Sequence, residues 1–73
     1  MSRIEAPLPG IGPERREQIR RQAALAATVR GEFTPRLIAE HVEKHAEALH
    51  DRVDVARVAY RAGEEALAAF LIE

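Results

Sequence analysis

An all-α fold is what this 73-residue sequence predicts, and three observations predict it. Pro13 and Pro35 each stand at the head of a long stretch patterned for helix, and Pro suits the first helical position because the N–H it lacks would be unpaired there. From Arg36 to Ala62 there is neither Gly nor Pro. Apolar side chains in that stretch recur every three or four residues, which is a helical period, not the alternation of a strand.

Residues 1–12, MSRIEAPLPGIG, read as an extended arm ahead of a single helical domain at 13–73. Pro7 and Pro9 restrict the backbone to polyproline II or turn geometry, and Gly10 and Gly12 loosen it. Ile4, Leu8 and Ile11 are apolar, so the arm should lie on a protein surface, of its own chain or of a neighbour.

The first helix is predicted over about 13–30. Glu14 falls in its first turn, where the helix dipole favours an anion, and Gly31 is a good C-terminal stop. Ile19, Ala23, Ala26 and Val29 are expected to share one narrow face, with Leu25 at its edge.

Thr34-Pro35 gives the second helix an N-cap hydroxyl followed by a first-turn Pro. At 100° per residue Ile38, Val42, Leu49, Val53, Ala56, Tyr60 and Leu67 fall within about 60° of one another. With His45, Gly63 and Phe70 they trace a heptad seam that keeps its phase through His50-Asp51-Arg52. That phase predicts one long helix over about 35–72, roughly 57 Å at 1.5 Å per residue, folded back on the first as a hairpin. The alternative is a break near Asp51, which would cap a third helix and give a monomeric three-helix bundle of ordinary helix lengths.

Past Asp54 a second apolar row, Val55, Val58, Ala59, Ala62, Ala66 and Ala69, runs beside the seam. A helix apolar over most of its circumference must be covered over most of it, and the thin Ala-rich face of the first helix is too small to do so. A chain this short buries only about 60% of its unfolded surface, and it contains no Cys for a disulfide. Association is the remaining staple. The sequence therefore predicts an oligomeric helical bundle, as a homo-oligomer or with an obligate protein partner. Its interface residues should be Val53, Ala56, Tyr60, Leu67 and Phe70, with the aromatics as natural hot spots.

Composition narrows the function. Without Cys, Asn or Trp, and with Ser2, Thr28, Thr34 and Tyr60 as the only hydroxyl side chains, nucleophilic catalysis has almost no material to work with. Carboxylate neighbours such as Glu40 and Glu43 are better explained by helical pairs such as Glu40 with Lys44. The reading is a non-enzymatic interaction or assembly subunit, an adaptor or scaffold with no cofactor and no small-molecule substrate. No apolar run approaches the ~20 residues of a membrane helix, and no signal pattern opens the chain, which predicts a cytoplasmic protein. Ten Arg against one Lys, with fourteen Ala, point to a GC-rich bacterial genome or one of its phages, and in the latter case a virion is a further location.

Two other constellations carry chemistry. His41 and His45, four apart, share a helical face with the spacing a metal-binding helix uses. Otherwise His45 is a polar member of the seam that sets register. At a subunit seam the pair would weaken association as the pH falls through about 6.5. Arg15, Arg16, Arg20 and Arg21 cluster in the first helix, and residues 1–36 carry seven Arg against four Glu while 37–73 carry four cations against eight anions. These halves can pair with each other, or the Arg cluster can contact phosphates. Just upstream, Leu8-Pro9-Gly10-Ile11-Gly12-Pro13 resembles the hairpin of helix-hairpin-helix DNA-binding motifs, whose backbone N–H groups hold a phosphate. That family places a full helix before the hairpin, where this chain has only Met1–Pro7. Nucleic-acid binding through Arg15, Arg16, Arg20 and Arg21 is thus the second functional expectation.

Overall fold

The computed structural model describes residues 11–72. They form three α-helices, α1 (Pro13–Arg30), α2 (Pro35–His45) and α3 (Asp51–Ile72), and no strand occurs among the described residues. The expected all-α class is therefore found, but the single helix over 35–72 is not. Residues 46–50 interrupt it, and the break falls at Asp51.

Local chemistry sets the helix ends. Gly12 enters α1 from an extended conformation (φ −73°, ψ 170°), and its carbonyl accepts the first bond from Arg16 N–H at 2.8 Å. Gly31 closes α1 in the left-handed region at φ 70°, donating its N–H to the Ala27 carbonyl at 2.8 Å. A β-carbon there would be strained and would press on the Phe70 ring. Thr34 Oγ1 accepts from Leu37 N–H at 3.4 Å and starts α2.

The heptad phase is real, yet it does not hold the chain straight. Ala46 leaves helical geometry at φ −76°, ψ 131°. Glu47 N–H donates to Asp51 Oδ2 at 3.3 Å, and Asp51 and Arg52 N–H groups close a turn on the carbonyls of Ala48 and Leu49. The same Asp51 oxygen receives Arg15 Nη1 from the start of α1, 36 residues away, at 3.1 Å. Leu37 and His41 of the shortened α2 are both buried.

Arg15 meets Asp51 at one end, and Gly31 lies beside Phe70 at the other. Thus α1 and α3 run parallel, with α2 returning between their ends, and the expected antiparallel hairpin is corrected accordingly. Ile19 and Ala23 of α1 pack against Val55, Val58, Ala59 and Ala62 of α3, with Phe33, Val42 and Ala46 against the edge of this cluster. Phe33 covers Gly63 so closely that no β-carbon would fit there. Val29 is exposed and Ala27 takes its expected place inside, because the buried row advances four residues at a time, from Ile19 through Ala23 to Ala27. Of the expected arm, Ile11 packs into this chain's own core, while residues 1–10 lie outside the described residues.

Candidate functional site

One apolar feature that the fold leaves exposed is the side of α3 turned away from α1. Its inward row, Val55, Val58, Ala59 and Ala62, is buried. At 100° per residue Tyr60 points about 160° away from Ala62, and it is 49% exposed. Val53 is 57% exposed on the same side, and Ala56, between them, and Leu67, two turns beyond Tyr60, are half-buried. Four of the five expected interface residues therefore form one apolar stripe. The fifth, Phe70, turns toward Gly31 at the end of α1.

Neighbours fix the centre of this stripe. The Tyr60 ring stands edge-on to Phe33, with centroids 6.3 Å apart at 78°, a favourable aromatic geometry. The neighbouring Glu64 carboxylate, one turn on, raises the Tyr60 pKa above its ordinary value.

The Arg cluster of α1 is divided by the fold. Arg15 is committed to Asp51, with Glu47 Oε1 a further 3.8 Å from its Nη1. Arg21 pairs with Glu17 on the same helix at 3.3 Å. Arg16 and Arg20 instead line a groove of about 980 Å³ with Arg57 and Arg61 of α3, alongside Tyr60, Glu64 and Glu65. None of these four guanidiniums makes an ion pair among the described residues. The sequence signal for this grouping is a matched pair of i,i+4 arginines, one on each of two parallel helices. Adjacency in the chain pointed elsewhere, because neighbouring residues diverge by 100° around a helix. Of the hairpin-like segment, Gly12 has ordinary extended backbone and Leu8 to Gly10 lie outside the described residues.

His41 is buried and stacks on His45 with ring centroids 5.7 Å apart, while His45 Nδ1 lies 3.1 Å from the His41 carbonyl. His41 thus faces the interior of its own chain, so its proton equilibrium is coupled to folding. Among the described residues no three side chains of metal-ligating type converge. Burial lowers the His41 pKa from 6.5, and the nearby charges of His45, Lys44 and Arg30 add to this against Glu40. The unfolded chain therefore binds more protons just below pH 6.5, and stability falls as the pH drops through that window. The urea midpoint should be lower at pH 5.5 than at pH 7.5, and His41→Leu should remove most of the difference.

No helix among the described residues is long and apolar enough to cross a membrane. No family model matches the chain, and neither a curated protein nor a solved structure is detectably similar to it.

Proposed function

We propose that this chain is a small non-enzymatic assembly subunit that works through the outward stripe of α3. The observation that supports it is the exposure of Val53 and Tyr60, in line with Ala56 and Leu67, on a helix whose opposite side is already buried. The interior adds weight to the reading. Among the described residues five large apolar side chains are buried, Ile11, Ile19, Leu37, Val55 and Val58, against eight exposed. A core this thin gains most from covering more apolar surface, at about 25 cal/mol per Å².

Light scattering at two concentrations tests this. A dimer or larger species is expected, and Val53→Asp should weaken it at least tenfold with an unchanged helical spectrum. A monomer at both concentrations would remove self-assembly and leave only a foreign protein partner.

A second reading is favoured by one observation, the four arginines sharing a groove. They fit the phosphates of a nucleic acid. Binding to a random duplex would then fall steeply with salt and be lost in the combined Arg16→Glu, Arg20→Glu variant.

A further inference from the structure

We propose that the occupant of the α3 stripe is a second copy of this chain, docked antiparallel with the two-fold axis at Tyr60. This rests on the self-assembly reading above and adds orientation and register to it.

The spacing along the stripe is symmetric about Tyr60. Val53 lies seven residues before it and Leu67 seven after, so all three stay within about 40° on the helix surface. An antiparallel copy centred on Tyr60 sets Val53 of each copy against Leu67 of the other and Tyr60 against its own counterpart. Ala56, half-buried and small, lets the two backbones approach. The α1 helix packs on the opposite side of α3 and Phe33 covers Gly63 on one flank of the stripe, so the second copy docks from the other flank, where Arg57 and Glu64 are exposed.

Charge selects this orientation. Arg57 and Glu64 are both exposed, and at 100° per residue they lie about 20° apart on one flank of the stripe. A two-fold axis perpendicular to the helix pair keeps that flank on the same side in both copies. Arg57 of each copy then comes level with Glu64 of the other to within about one residue rise, 1.5 Å, and the contact occurs twice. In a parallel in-register pair the two-fold runs along the helices and carries that flank to opposite sides of the seam, so Arg57 and Glu64 do not meet across it. The antiparallel contact is isologous, closes on itself and stops at two copies.

Because the chain contains no Cys, single cysteines report the register. Under mild oxidation an equal mixture of the Val53→Cys and Leu67→Cys chains should cross-link as a heterodimer. Either variant alone should not, because its own counterpart lies about 21 Å along the helix axis. In the same concentration series Arg57→Glu should weaken the dimer about tenfold, Glu64→Arg should do likewise, and the two combined should recover most of the loss. These two side chains are exposed, so that series stands even where the half-buried Leu67 position proves sensitive. Self-cross-linking of Val53→Cys would overturn the orientation. A dimer with neither mixed cross-link nor charge recovery would overturn the register while leaving self-assembly intact, and a monomer would overturn both.

Discussion

Ile19→Ala is expected to leave the chain largely unfolded at 25 °C. Removing a fully buried Ile side chain beyond its β-carbon typically costs about 2–5 kcal/mol, with the higher values where the site cannot collapse. This site is of that kind. Ile19 has no measurable exposure, and Ala23, Ala59 and Ala62 are its partners in the core. Their methyl groups are fixed to the helix backbones, and Val55 and Val58 in the same cluster are β-branched and stiff at χ1, so closing the gap requires chiefly that α1 move against α3. A single core of this size rarely supplies more than about 3–5 kcal/mol, so the loss consumes most of the stability. Far-UV circular dichroism against urea should show no native baseline for the variant, whereas Ile72→Ala, at an 84% exposed position, should stay within about 0.5 kcal/mol of the parent. A cooperative transition weakened by less than about 1 kcal/mol would show that α1 collapses onto α3 with little strain.

The parts of the fold that were legible in the sequence are those set by neighbours along the chain. Pro13, Thr34-Pro35 and Gly31 mark ends that depend on one residue's dihedral angle or one capping bond, and the structure places them as read. The break at 46–50 is different in kind. Glu47, Ala48 and Leu49 are good helix formers, and the apolar phase runs through them. The group that pins the turn, Arg15, lies 36 residues upstream, where no local window includes it. The two apolar rows of α3 were both visible, but which one faces inward follows from where the Ile19–Ala23–Ala27 row of α1 docks. The stripe Val53, Ala56, Tyr60 and Leu67 was legible because it lies wholly after the break, so its members keep their relative angles whether or not α2 and α3 are continuous. The grouping of Arg16 and Arg20 with Arg57 and Arg61 was not legible, since it requires knowing that α1 and α3 run side by side in the same direction.

Asp51→Ala is expected to lower the melting temperature by roughly 5–15 °C and to flatten the acid limb of the stability curve. Asp51 is 5% exposed and binds three segments at once. Its Oδ2 accepts from Arg15 Nη1 and from Glu47 N–H, and its Oδ1 lies 3.4 Å from His50 Nε2. The hydrogen bond from Arg15 is the main cause holding its pKa below 3.8, and together with the Glu47 N–H and the charges of Arg15 and His50 it outweighs the opposing effect of burial. With the folded value depressed, the carboxylate contributes its full stabilisation above the ordinary value of 3.8 and loses it as the pH falls through the lower folded value. The variant should lack that part of the dependence. Removing the carboxylate also leaves the mostly buried Arg15 with only the exposed Glu47 carboxylate, 3.8 Å from its Nη1, while its Nη2 is already buried without a partner among the described residues. An unpaired buried charge costs more than a missing pair, so Arg15→Leu combined with Asp51→Ala should melt above Asp51→Ala alone. If the two substitutions instead add, Arg15 and Asp51 act independently, and the break between α2 and α3 is held by the bonds from Asp51 and Arg52 N–H to Ala48 and Leu49 without help from α1.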